Sequence, residues 1–195
     1  MQDSTFLHEI FKPQLFKPDE LELVLAQFSA VEFKKNEYLM RAGNVANYYY
    51  FLETGYVRSY AIDLEGNDIT SKFYSRQDIV IDWHSYFLKA PCKEFIQALT
   101  DGKGWKITFT NFMKLFSIEA FREVGRTKLV NDYFGLKNHT VSMVTDPAKD
   151  RYKQLIKDKP DIALNAPLKH IATYLGITDT SLSRIRKEIV SEKDE

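Results

Sequence analysis

The hydrophobic pattern of the chain is helical over about the first thirty residues, changes to that of short strands near Val31 and returns to a helical period after Phe109, and these changes limit the possible folds more than any other feature. From about Val31 to Phe109, short apolar segments rich in aromatic residues alternate with turns of glycine, asparagine and aspartate, such as Asp101 to Gly104. This spacing predicts an all-β barrel or jelly roll. After Phe109 the apolar residues recur at the helical period, so helices are predicted to follow the barrel. The predicted fold class is therefore α+β, with an N-terminal jelly roll (a double-stranded β-helix).

A long helix is predicted from about residue 118 to residue 146, where Asp146 and Pro147 interrupt the pattern. Its apolar residues form two adjacent stripes, and together these are wider than one neighbouring element requires. We therefore expect this helix to mediate dimerisation. The expected dimerisation residues lie on one stripe: Leu129, Tyr133, Leu136, Thr140 and Met143. A helix buried within a single monomer is the alternative interpretation.

The chain is predicted to divide into two domains at this break. Residues 1–146 would form the jelly roll together with the long helix, and residues 147–195 a small helical domain. From residue 147 to residue 190 the chain carries nine basic and five acidic residues, although the whole chain has 27 of each sign. The excess of positive charge in the second domain is compatible with a polyanionic partner.

The most specific motif is a helix-turn-helix between Leu168 and Lys187. Ala172 supplies the small residue needed where the two helices cross, and Gly176 tolerates the positive φ of the turn. Thr178 is placed to cap the second helix. The apolar anchors of the inner face occur at the required spacing, at Ile171, Leu175, Ile177, Leu182 and Ile185.

The motif predicts DNA binding through the second helix. Thr180, Ser181 and Arg184 are the expected base readers, because the N-terminal part of a recognition helix reaches the base edges. The full set of expected DNA-binding residues is Lys169, His170, Thr178, Asp179, Thr180, Ser181, Ser183, Arg184, Arg186 and Lys187. An ordinary helix pair with a solvated polar face is the alternative interpretation.

These motifs together resemble the Crp/Fnr family of bacterial transcription regulators, in particular its short members of the Bacteroidetes type. In the N-terminal half the resemblance rests on the segments 35–43 and 50–57, and in the C-terminal half on 171–178 and 181–187. The resemblance implies a cyclic-nucleotide-binding-like jelly roll, a homodimer, double-stranded DNA as partner and RNA polymerase as a further partner.

The sequence departs from the cyclic-AMP-binding members at two positions that the resemblance places in the ligand site. Ile81-Asp82 stands where those members have Gly-Glu, and Cys92-Lys93 stands where they have Arg and a small residue. A lysine is a point charge and lacks the planar fork of an arginine. We therefore expect that cyclic AMP does not bind in the family's usual mode. The expected effector site consists of Asp82, Trp83, Cys92 and Lys93, for a small molecule that the sequence does not identify.

Other chemistries find little support in the sequence. The four histidines include no His-x-His pair, which a metal-binding cupin enzyme needs, and a single cysteine excludes an iron–sulfur cluster. We therefore expect neither an enzyme nor a metal site. The chain has no signal-peptide pattern and no long apolar segment, so no membrane association and a cytoplasmic location are expected. The alternative function is a small-molecule-binding or structural jelly-roll protein whose helical tail makes protein contacts.

Overall fold

A computed structural model describes residues 5–192, so the outer ends of both predicted domains, residues 1–4 and 193–195, lie outside the described residues. Eight strands form two antiparallel four-stranded sheets with the orders β1-β8-β3-β6 and β2-β7-β4-β5. The strands are β1 (Ser29–Phe33), β2 (Tyr38–Met40), β3 (Tyr48–Thr54), β4 (Val57–Ile62), β5 (Asp68–Tyr74), β6 (Ile79–Val80), β7 (Phe95–Ala98) and β8 (Gly102–Thr108). The predicted jelly roll is confirmed.

One tight turn of the jelly roll requires glycine. Gly55, between β3 and β4, has a φ of +88°, and a Cβ atom at this position would lie 2.8 Å from the carbonyl oxygen of Asp101. Both the left-handed backbone and the lack of space favour glycine here.

Two N-terminal helices cover one face of the jelly roll. They are α1 (Thr5–Ile10) and α2 (Pro18–Leu25). Just after α1, the ring of Phe11 lies 5.6 Å from the ring of Phe51 on β3 and 5.8 Å from the ring of Phe121. Aromatic residues from three parts of the chain therefore build one core, and Phe121 anchors the start of the long helix to it.

Seven further helices are described. They are α3 (Trp83–Leu88), α4 (Phe109–Leu115), α5 (Glu119–Thr145), α6 (Ala148–Asp158), α7 (Pro160–Asn165), α8 (Leu168–Tyr174) and α9 (Asp179–Ser191). Helix α5 agrees with the predicted long helix to within one residue at each end, and Phe121 is its one buried residue. None of the helices within residues 5–192 is long and apolar enough to cross a membrane.

The C-terminal helices share a small core that also includes two residues of the jelly roll. Phe73 on β5 and Leu99 after β7 belong to the same buried cluster as Ile171, Leu175 and Leu182. The C-terminal helices therefore pack against the sheet that contains β4 and β5.

Candidate nucleic-acid interface

Helices α8 and α9 form the helix-turn-helix geometry that the sequence predicts. Gly176 in the turn has a φ of +66°, and the amide of Ile177 donates a hydrogen bond to the carbonyl oxygen of Ala172 at 3.0 Å. The hydroxyl of Thr178 accepts a hydrogen bond from the amide of Ser181 at 3.2 Å and so caps α9. A capped N-terminus leaves the first turn of α9 well formed at the surface.

The inner face of this helix pair is closely packed. Ile171, Ala172, Leu175 and Leu182 are almost completely buried. In addition, a Cβ atom at Gly176 would lie 2.6 Å from the terminal methyl group of Met143. The turn therefore rests on the end of α5, and the packing sets the direction in which α9 faces outward.

Most of the predicted DNA-binding side chains lie on the outer face of α9. Ser181 and Arg186 are partly exposed, and the exposed ones are Thr178, Asp179, Thr180, Ser183, Arg184 and Lys187. The acids near the C-terminal end of α9 contact lysines of α6 instead: Glu188 lies 3.4 Å from Lys149 and Glu192 lies 3.3 Å from Lys153. The first turns of α9 thus present hydroxyl groups, cations and the carboxylate of Asp179 to an approaching ligand.

Two of the predicted DNA-binding residues, Lys169 and His170, contact the jelly roll, although the side chain of Lys169 stays 63% exposed. The ammonium group of Lys169 lies 3.1 Å from the carboxylate of Asp68. The guanidinium of Arg58 donates a hydrogen bond to Nδ1 of His170 at 2.8 Å. Burial, and then the positive charge of Arg58, lower the pKa of His170 to about 4, so the imidazole is neutral at physiological pH.

Three of the four predicted effector-site residues, Asp82, Trp83 and Cys92, make contacts within the chain. The carboxylate of Asp82 accepts a hydrogen bond from the amide of Ser85 at 2.8 Å and caps α3. The indole of Trp83 donates to Asp132 of α5 at 3.4 Å. Lys93 is exposed.

Cys92 is buried, and its Sγ atom lies 3.0 Å from the carbonyl oxygen of Arg41. Burial, and then the charge of Asp82, raise the pKa of the thiol. A raised pKa disfavours the thiolate that redox chemistry needs. Within residues 5–192, no group of three or more histidine, cysteine, aspartate or glutamate side chains is placed to hold a metal ion.

A cavity of about 780 Å³ lies between β5, α5 and α6. Sequence reasoning missed it, because its walls come from distant segments and no local motif marks them. Two ion pairs cross it, one between Lys72 and Asp132 and the other between Lys159 and Asp78. Four charged side chains of the cavity wall therefore neutralise one another in pairs.

Comparisons with known proteins agree with this architecture. Residues 30–119 match the cyclic nucleotide-binding domain. No curated protein sequence matches the chain significantly. Among solved structures, FixK2 from Bradyrhizobium japonicum is 18% identical, with 85% of this chain and 86% of that chain covered and a TM-score of 0.74.

Two further solved structures have the same fold over most of their length. The c-di-GMP responsive global regulator CLP from Xanthomonas campestris is 14% identical, with 91% of this chain and 93% of that chain covered and a TM-score of 0.67. A CooA mutant from Carboxydothermus hydrogenoformans is 19% identical, with 98% and 87% covered and a TM-score of 0.67. The chain thus combines a cyclic nucleotide-binding domain with a helical C-terminal region, and it has the fold of these solved structures. The fold that the resemblance implies is confirmed.

Proposed function

We propose that this protein is a homodimeric transcriptional regulator that binds double-stranded DNA. The observation that carries the proposal is the capped, outward-facing helix α9 on a packed helix-turn-helix, which leaves Thr180, Arg184 and Lys187 exposed. A helix of this kind fits the major groove of B-DNA, where its N-terminal side chains meet the base edges.

Each exposed side chain of α9 has a specific role in the proposal. Arg184 would donate two hydrogen bonds to a guanine, and Thr180 and Ser181 would contact neighbouring base edges. Arg186 and Lys187 would contact phosphates, which add affinity but little sequence information. In a two-fold symmetric dimer, two such helices would bind half-sites about 34 Å apart in successive major grooves.

The exposed apolar face of α5 supports the dimer. Tyr133 and Leu136 are each more than half exposed, and so are Phe134 and Val141 of the adjacent stripe. Several exposed large apolar side chains on one long helix are typical of a protein interface. A second copy of the same helix is complementary to it under two-fold symmetry.

The proposal also includes control by a small molecule. We place its site in the barrel at Asp82, Trp83, Cys92 and Lys93, with cyclic AMP not bound in the family's usual mode. Such a ligand would act by binding one setting of the two domains more tightly than the other. Contact with RNA polymerase is the remaining part of the proposal and rests on the family resemblance alone.

Selection of the purified protein on a random duplex library tests the proposal. We expect enrichment of a two-fold symmetric motif, which Arg184→Ala weakens or relaxes at one position of each half-site. Arg41→Ala is the matched control, because Arg41 is an exposed arginine of the jelly roll, in the loop just after β2. Failure to enrich any motif at low salt, with and without added cell extract, would contradict the proposal and favour a tail that makes protein contacts.

The salt dependence of binding separates these two functions further. A DNA-binding protein loses affinity as salt increases, in proportion to the number of its phosphate contacts. A tail that makes protein contacts would not bind duplex at any salt concentration.

A further inference from the structure

The hairpin formed by β4 and β5 contacts the first helix of the helix-turn-helix along its length. At the N-terminal end of α8, Lys169 pairs with Asp68. One turn further on, the hydroxyl of Thr173 accepts a hydrogen bond from the amide of Thr70 at 3.2 Å. At the far end, the rings of Phe73 and Tyr174 lie 5.2 Å apart. We call this set of contacts between β5 and α8 the hairpin contact.

A buried arginine connects the two sides of the hairpin contact. Arg58 of β4 is only 3% exposed, and its guanidinium donates to Asp68 at 2.6 Å and to the hydroxyl of Thr70 at 3.2 Å. The same group also donates to His170 of α8. A buried charge is costly unless its partners remain in place, so Arg58 favours the conformation in which α8 stays against the hairpin.

The hairpin places the carboxylate of Asp68 against Lys169 of α8. The segment from Ile62 to Asp68 contains three acids, Asp63, Glu65 and Asp68, and no base. In a helix-turn-helix bound to DNA, the first helix crosses the phosphate backbone. The carboxylate of Asp68 thus neutralises a lysine that a phosphate would otherwise neutralise.

We propose that the β4–β5 hairpin is an internal mimic of the DNA backbone, and that tight DNA binding requires α8 to leave it. The hairpin contact and a DNA phosphate compete for Lys169. This inference rests on the proposed function of the protein as a DNA-binding regulator. The apparent affinity for DNA is then proportional to the fraction of molecules in which the hairpin contact is open.

A reversible crosslink across the hairpin contact tests this inference. The side-chain oxygens of Thr70 and Thr173 are 3.3 Å apart, so cysteines at these positions lie close enough to form a disulfide after a small adjustment. The variant T70C/T173C is made in a Cys92→Ser background, which serves alone as the control for the oxidant. We expect the oxidised protein to bind the selected operator at least tenfold more weakly than the reduced protein, with the control unchanged.

A second variant changes the affinity in the opposite direction. Asp68→Asn keeps the shape of the side chain and removes its charge, so that Lys169 and the buried Arg58 both lose their carboxylate partner and the hairpin contact is weakened. We expect tighter operator binding by several-fold and faster amide hydrogen exchange in β5 and α8. Asp101→Asn is the matched control, because Asp101 pairs with Lys34 in an exposed turn of the jelly roll, at 3.2 Å.

The outcomes separate this inference from the proposed function. One result against it is equal operator binding by the oxidised and the reduced crosslink variant, and the other is no gain in affinity for Asp68→Asn over Asp101→Asn. These two results together would overturn the proposal that the hairpin mimics the DNA backbone, and they would leave the DNA-binding function intact. Absence of operator binding by the wild-type protein in every condition would overturn the proposed function, and the hairpin mimic with it.

Discussion

Replacing Leu136 by alanine would weaken the dimer about a hundredfold if α5 is the interface. Leu136 is 58% exposed in the single chain. The substitution removes three carbon atoms, worth about 0.8 kcal/mol each when fully buried, so the exposed share is about 1.4 kcal/mol. Two-fold symmetry places this loss on both helices and doubles it to about 3 kcal/mol, which corresponds to about a hundredfold in the dissociation constant.

Sedimentation equilibrium over a range of protein concentrations measures this change. Leu164→Ala is the matched control, because Leu164 of α7 is 79% exposed and lies away from α5. We expect the control to dissociate at the wild-type concentration. Equal dissociation constants for both variants would refute the assignment of this face to the dimer.

Three further predictions concern the helical domain. Leu182→Ala leaves a cavity in a fully buried site and should lower the free energy of unfolding by about 2–5 kcal/mol, measured by urea denaturation. Thr178→Ala removes the cap of α9 and should cost about 1 kcal/mol, whereas Thr178→Ser should retain most of that stability. Because the pKa of His170 is lowered to about 4 in the folded protein, its contribution to stability is complete above about pH 6.5 and is lost as the pH falls towards 4. Between pH 7.5 and pH 5 the loss should reach about 2 kcal/mol. His170→Gln should lose less stability over this range, and an equal loss in both proteins would contradict the prediction.

Much of the candidate interface was predictable because its requirements are local. The positive φ of Gly176, the cap at Thr178 and the buried crossing at Ala172 depend on residues within one short segment. The spacing of apolar residues along α9 likewise decides which side chains face outward, since each successive residue turns by a fixed angle about the helix axis. Exposure of Arg184 therefore follows from the sequence pattern itself.

The environments of Lys169 and His170 were not predictable in this way. Both lie on a basic helix end, and composition alone assigns them to phosphates. Their partners, Asp68 and Arg58, are about a hundred residues earlier in the chain. No periodicity connects two segments so far apart, and only the packing of one domain against the other brings them together.

The sequence by itself determined the order of the architecture: a jelly roll, a long helix with an apolar face, and a helix-turn-helix. Those features depend on periods of two and 3.6 residues and on turn residues, which act over short distances along the chain. The tertiary structure alone decided which charges meet. Lys72 pairs with Asp132, and Lys169 pairs with Asp68. Ion pairs depend on the distance between two groups in space, and the pattern of residues along the chain does not give that distance.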